Sequence, residues 1–224
     1  MLQLISKKII FYLFLFFLLV TINSNLIFNW SLPKIDKIEV SGLDFEESEK
    51  IKKIIKSLVK ENIFFIDNEN IENEINSLKI VEEFKIFKKY PSTLKVKVKK
   101  TDYLAITNKG GLKYYVGSNG ELIEDETQVE NLPYIYGNLN TQEFFKLKNE
   151  IENSDFYFNQ ILNLYFYKSN RWDIETIDGY LIKLPRKNVK ETLNLFVRLM
   201  NEKYFYDKSI IDLRQRNQII LDEK

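Results

Sequence analysis

The spacing of apolar positions changes several times along the chain, and each change predicts a different kind of element. The first texture is unbroken: IIFYLFLFFLLVTI runs from Ile9 to Ile22 behind Lys7 and Lys8. A continuous apolar run of this kind predicts a membrane helix, although it is short against the roughly 20 residues that a spanning helix needs. Leu26, Ile27, Phe28 and Trp30 extend it past the polar Asn23, Ser24 and Asn25, and Trp30 suits the wet edge of a bilayer. The two lysines favour a cytoplasmic start and export of everything that follows. A cleaved signal peptide shares the basic start and the apolar stretch, but TINSNLIFNW offers no small-residue cleavage site. The expectation is therefore a cytoplasmic tail over 1–8 and a single uncleaved transmembrane anchor with its interfacial linker over 9–30.

After Pro33 the period falls to two. Ile35, Ile38 and Val40 alternate with polar neighbours in KIDKIEV, a strand stopped by Ser41 and Gly42. Asp44 with Glu47 three residues on reads as a capping box. Ile51, Ile54, Ile55, Leu58 and Val59 then recur at helical spacing. NIFFI follows, and Asp67 or Asn68 opens a second helix with Ile71, Ile75 and Leu78 on one face. Phe84, Ile86 and Tyr90 belong to a strand that ends before Pro91. In the next strand Leu94, Val96 and Val98 alternate with Lys95, Lys97 and Lys99, so one face lies on a core and the other in water. The order β-α-α-β-β predicts a compact unit over 34–101, with its helices on one face of a three-stranded sheet.

From Tyr103 hairpins dominate. LKYYVG and ELIED flank Ser118-Asn119-Gly120, and RWDIETI and YLIKLP flank Asp178-Gly179, both suited to tight turns. Thr141 is positioned to cap a helix that presents Phe144, Leu147 and Ile151. Asn188 to Asn201 is amphipathic, with Val189, Leu193, Phe196, Val197 and Met200 inward. SIIDLR and QIIL close the chain as two strands. This predicts a mixed β domain with flanking helices over 102–224, carrying an open edge strand at its C-terminus. The fold class is α+β.

Composition narrows the chemistry. Hydrophobic residues make up 45% and charged residues 29% of the chain, which is globular rather than disordered. The net charge of +1 does not single out nucleic acid as a partner. No cysteine is present, hence no disulfide or thiolate chemistry, and no histidine, the commonest general base and metal ligand. No metal, cofactor or catalytic constellation is expected. Asp173 and Glu175 share a strand face and form the best carboxylate pair for an exported hydrolase, but that face, opposite Trp172 and Ile174, is expected to lie in solvent, and no nucleophile, glycine-rich loop or metal cluster accompanies them.

The segments together resemble a known family. IEVSG, NIFFID and YPSTLKVKV with Ala105 look like a POTRA (polypeptide transport-associated) domain. GSNGELI, LPYIYG, RWDIETIDGYLIKLP and IIDLR followed by QIIL resemble, in order, the later segments of the FtsQ/DivIB family of bacterial cell-division proteins. The tail before Ile9 is much shorter than is usual there. The resemblance implies a bitopic inner-membrane scaffold at the division septum, with a cytoplasmic N-terminus and a periplasmic C-terminus. Its POTRA domain would meet upstream or membrane-embedded division partners, and its C-terminal β edge would capture FtsB, which travels with FtsL. A POTRA-type secretion or outer-membrane assembly chaperone is the alternative, disfavoured because no barrel strands or tandem POTRA units follow.

The residues favour the same end of the chain. Residues 217–221 are β-prone and have no following element to pair with, so an edge there leaves backbone groups open to strand addition. The resemblance places the partner contact on Gln215, Asn217, Ile219, Ile220 and Leu221, with Arg171 on the neighbouring hairpin as an ion-pair partner for a carboxylate. Gln215 stands where the family often has an aromatic. Asp212 and Arg214 read as a strand-end ion pair rather than a contact site, and Trp172 as packing rather than a binding hot spot. Lys95, Lys97, Lys99 and Lys100, with Lys85, Lys88 and Lys89, read either as a solvated face that discourages aggregation or as a lipid-facing one.

Overall fold

The structure, a computed structural model, describes residues 7–21, 34–59, 63, 66–125, 129–201, 209–215 and 218–222. The tail before Lys7, Trp30 and the linker around it, Phe64, Phe65 and Asn217 lie outside the described residues. Helix α1 (Lys7–Thr21) has 15 residues. At 1.5 Å per residue it is about 22 Å long, against about 30 Å of hydrocarbon. Among the described residues no helix is long and apolar enough to cross a membrane. The described helix is thus shorter than the anchor expected over 9–30: it stops at Thr21, and residues 22–30 lie outside the described residues. Its apolar side chains from Ile9 to Val20 are all exposed.

The first sheet holds β1 (Lys37–Ser41), β2 (Val81–Lys89) and β3 (Thr93–Lys100) in the order β1-β3-β2, with β3 parallel to β1 and antiparallel to β2. Helices α2 (Phe45–Leu58) and α3 (Asn68–Asn76) cover one face. Ile51, Ile55, Ile71 and Ile75 bury themselves there against Leu94, Val96 and Val98. Each such side chain contributes about 1.5–3 kcal/mol on burial. Asp67 caps α3, accepting from the Glu69 N–H at 3.0 Å. The capping box expected at Asp44 and Glu47 does not form. Asp44 is the N-cap of α2 but its carboxylate makes no cap bond. Both carboxylates instead take the Lys100 ammonium, at 3.4 and 2.7 Å. A full charge on β3 outcompetes a backbone N–H for these oxygens.

The second sheet has nine strands: β4 (Tyr103–Lys109), β5 (Leu112–Gly117), β6 (Leu122–Ile123), β7 (Tyr134–Tyr136), β8 (Ile161–Tyr167), β9 (Arg171–Thr176), β10 (Leu181–Lys183), β11 (Ile210–Asp212) and β12 (Ile220–Asp222). Their spatial order is β12-β11-β10-β9-β8-β7-β4-β5-β6. Helices α4 (Thr141–Glu152) and α5 (Val189–Asn201) lie on one face. There Phe144, Leu147, Ile151, Leu193 and Phe196 share a core with strand residues such as Ile135, Leu164, Ile174, Ile182 and Ile211. Trp172 is 5% exposed in that core, its ring 4.5 Å from that of Phe166, so packing is its role. The cap of α4 is Asn140 rather than Thr141: its side-chain oxygen accepts from the Gln142 and Glu143 N–H groups at 3.0 and 3.3 Å.

The two sheets meet at the Ser118-Asn119 turn. The Asn119 side chain donates to the backbone oxygens of Lys79 and Val81 at 2.8 and 3.1 Å. The Ser118 hydroxyl donates to Glu82 at 2.8 Å and accepts from the Asp102 N–H at 3.0 Å. The turn thus grips both the entry of β2 and the joint between the sheets. Sequence reading takes it for a hairpin turn alone, because nothing local in Ser-Asn-Gly reveals a distant acceptor.

Candidate functional site

Strand β11 enters the sheet parallel to β10, and β12 then turns back antiparallel along it. Ile211 faces the helices and is buried, and Leu213 follows it into the same core. This pins the outermost pair in register and leaves β12 as the end of the nine-strand order. No strand of the described residues lies beyond it. Ile219, Ile220 and Leu221 are 38%, 48% and 37% exposed. An apolar strand exposed at a sheet edge is the arrangement that accepts an added strand.

On the helix-free face the pairing aligns one row across six strands: Tyr136, Tyr165, Asp173, Lys183, Asp212 and Ile220. The row alternates in charge around the two aspartates. Arg214 holds Asp212 from its Nε, at 2.7 and 2.9 Å from the two carboxylate oxygens, and closes the pair through its terminal nitrogen. That guanidinium keeps the Asp212 carboxyl below the usual carboxylate range. The strand-end reading of Asp212 and Arg214 is therefore what the geometry gives.

Asp173 behaves oppositely. The face opposite Trp172 and Ile174 was expected to be open to solvent, yet Asp173 is 1% exposed. The charges of Arg171, Arg214 and Lys183 and the Tyr167 hydroxyl act on it. Burial raises its carboxyl above the ordinary range, and the Arg171 charge, 3.4 Å away from Nε to Oδ1, opposes the shift. Glu175 accepts from the Asn163 amide at 2.9 Å and from the Tyr165 hydroxyl at 2.7 Å. Burial, and then that hydrogen bond, push Tyr165 to about 12. The two carboxylates are thus structural acceptors with different neighbours, and the hydrolase reading has no shared substrate space here. Among the described residues no group of three or more acidic, His or Cys side chains is placed to hold a metal.

Of the residues implied as partner contacts, Gln215, Ile219, Ile220 and Leu221 come together at the terminal edge. Gln215 and Ile219 line one wall of a groove of about 770 Å³, whose other wall is the start of α5 with Leu195 and the Arg186-Lys187 loop. Arg171 does not join them. It lies on β9, three strand spacings or roughly 14 Å from β12. Its guanidinium stacks 4.5 Å over the Tyr167 ring, away from the edge. The groove was not anticipated, because it depends on how the loop before α5 folds back over the last strands. The paired cations Arg186 and Lys187 before that helix were the available signal.

Known proteins carry the same segments. The family model for the FtsQ-type POTRA domain matches residues 34–100, and that for the C-terminal part of cell division protein FtsQ/DivIB matches residues 105–214. The cell division protein FtsQ of Rickettsia bellii (strain RML369-C) is 21% identical over 193 residues, covering 85% of this chain and 72% of that protein. That of Rickettsia typhi (strain ATCC VR-144 / Wilmington) is 22% identical over 197 residues, covering 85% and 73%. A solved structure, the major extracytoplasmic domain of the trans isomer of the cell division protein DivIB from Geobacillus stearothermophilus, aligns with 47% of this chain and 98% of its own at 11% identity. Its TM-score is 0.34, too low to bear on the fold. Two adjoining family models and relatives spanning most of the chain agree: the chain belongs to the FtsQ/DivIB family of cell-division proteins.

Proposed function

We propose that this protein is a membrane-attached scaffold of the division machinery that captures a partner strand along β12. The family is one of division scaffolds and not a known enzyme family. The observation that carries the proposal is the position of β12 at the end of the sheet, with Ile219, Ile220 and Leu221 exposed. Main-chain hydrogen bonds to an added strand would supply affinity. The groove beside Gln215 and Ile219 would supply register by taking a partner side chain. The partner is the C-terminal segment of FtsB, carried with FtsL, as the family resemblance implies. Arg171 contributes from a distance as a positive charge on the same face, and Asn217 belongs to the contact segment.

Attachment falls to α1, with Lys7 and Lys8 on the cytoplasmic side and the rest of the chain exported. The support is a helix whose apolar side chains are exposed along its length. Its shortness is compatible with local bilayer thinning.

Replacing both Ile219 and Ile220 by proline removes one backbone donor from the free edge and one from the ladder to β11, since successive N–H groups point to opposite sides. Pulldown of FtsB and FtsL from membranes should fall at least tenfold, with the first sheet still folded by hydrogen exchange. Unchanged capture by the double variant would end the strand-addition reading. Co-purification of outer-membrane β-barrel precursors in place of FtsB would instead favour an assembly chaperone.

A further inference from the structure

We propose that the helix-free face of the three-stranded sheet rests on an anionic phospholipid surface. Strand pairing stacks three rows on that face: Lys37, Thr93 and Lys89; Glu39, Lys95 and Phe87; Ser41, Lys97 and Lys85. Two cations of the face are spent internally. Lys37 pairs with Glu39 at 2.6 Å, and Lys99 with Glu82 at 2.9 Å. Among the described residues Lys85, Lys89, Lys95 and Lys97 have no carboxylate within ion-pair distance. Lys100 and Lys88, which sequence groups with this face, alternate to the other side of their strands, and Lys100 is engaged by Glu47 and Asp44.

The middle row ends on an aromatic, on the outer strand β2 and beside the central Lys95. Phe87 is 44% exposed, and the Lys97 ammonium lies 5.7 Å from its ring centroid. What sets this Phe apart is its company: Lys85 and Lys89 flank it on β2, and Lys95 lies directly across on β3. Cations with long apolar stems around a phenyl ring are the composition of a bilayer interface, where ring and stems enter the headgroup layer and ammonium groups meet phosphates. Charge complementarity commits the proposal to anionic headgroups. Each unpaired cation held near such a surface strengthens partitioning about fivefold at low salt. Residues 22–33 connect α1 to this sheet, and a chain of that length reaches at most about 45 Å. The tether rests on the membrane attachment proposed above; the face itself does not.

The test uses the full chain with vesicles of phosphatidylcholine, alone or with about 30% phosphatidylglycerol. Flotation reads attachment, and mass spectrometry of amine labelling reads the face, with the exposed Lys109 as internal control. Labelling of Lys85, Lys89, Lys95 and Lys97 should slow about five- to tenfold on the anionic vesicles and recover in about 0.5 M salt, with Lys109 unchanged. Phe87→Ser should halve the protection or more while leaving the fold intact by circular dichroism. Flotation with equal labelling on both vesicle types overturns the face and spares the attachment. Failure to float on either vesicle overturns both. Protection that appears on neutral vesicles only when an acidic protein is added assigns the face to a protein partner and overturns the lipid proposal.

Discussion

The two sheets follow one plan, helices on one face and none on the other, but their helix-free faces are finished differently. On the nine-stranded sheet charges and hydroxyls are matched within the face: Asp212 with Arg214, Glu175 with Asn163 and Tyr165, and Tyr136 stacked 5.1 Å from Tyr165. On the three-stranded sheet Lys85, Lys89, Lys95 and Lys97 lie around Phe87 with no carboxylate within ion-pair distance among the described residues, and Lys95 and Lys89 act on Glu39 only through space. The nine-stranded face satisfies most of its charges internally, although Asp173 Oδ1 and Arg171 Nε are buried there without a hydrogen bond. A face with cations left over has its complement elsewhere.

The comparison presumes that each sheet is a unit of its own, and two glycines can break that presumption. Gly42, at φ +100°, would place a Cβ 1.8 Å from the Val98 backbone oxygen. Gly137, at φ +106°, would place one 2.2 Å from the Phe166 backbone oxygen. Neither oxygen can withdraw without breaking its strand. Gly42→Ala and Gly137→Ala should each cost about 3–5 kcal/mol, from left-handed backbone strain added to the clash. Hydrogen exchange should then collapse in β1–β3 for the first variant and in β7–β9 for the second, each leaving the other sheet protected. Loss of both sheets in either variant would make the molecule one cooperative unit.

Both glycines were legible as punctuation, in IEVSG and LPYIYG, and the reason is local: a positive φ restricts the residue type whatever surrounds it. The same holds for the alternation in β3 and for the apolar periodicity of α4 and α5, which placed Leu94, Phe144 and Leu193 in cores. The terminal strand was legible too, from the β-prone run QIIL. What escaped was long-range. Asp173 looked solvent-facing because alternation gives a side chain's direction but not how deeply it is buried. The distance of Arg171 from β12, with β10 and β11 between, was not legible, because sequence cannot count intervening strands. The cap expected from Asp44 and Glu47 was lost to Lys100, more than fifty residues away.

A second break applies at the joint. Asn119→Ala removes two donors that satisfy the Lys79 and Val81 backbone oxygens, and an acceptor used by the Glu121 N–H at 3.1 Å. The cost should be about 1–3 kcal/mol, with neither core touched. Because the chain has no cysteine, paired labels placed on β3 and β5 report the angle between sheets directly. The inter-label distance distribution should broaden in the variant and stay narrow in the parent. An unchanged distribution would mean that the continuous chain from Lys100 to Tyr103 fixes the angle without the turn.

The smallest effect is the most discriminating, because it asks whether the matched face is balanced internally. Asp212 titrates below its unfolded value, near about 4, so its contribution to stability is present above that pH and is lost as pH falls through its folded value. Asp173 titrates above it, so the native state holds the proton more tightly than the unfolded chain does, and stability declines as pH rises from about 4 to the folded value. Denaturation midpoints between about pH 3 and 7 should therefore move in opposite senses in the two asparagine variants. Asp212→Asn should lose ground to the parent as pH rises toward about 4, and Asp173→Asn should gain it as pH rises from about 4. Replacing Lys95 and Lys97 by glutamine, on the unmatched face, should change the pH profile of stability much less, since among the described residues neither lysine has a carboxylate within ion-pair distance and Lys95 acts on Glu39 only through space. Were the lysine variants to shift the acid limb as much as Asp212→Asn does, those cations would already be balanced within the fold, and the contrast between the two faces would disappear.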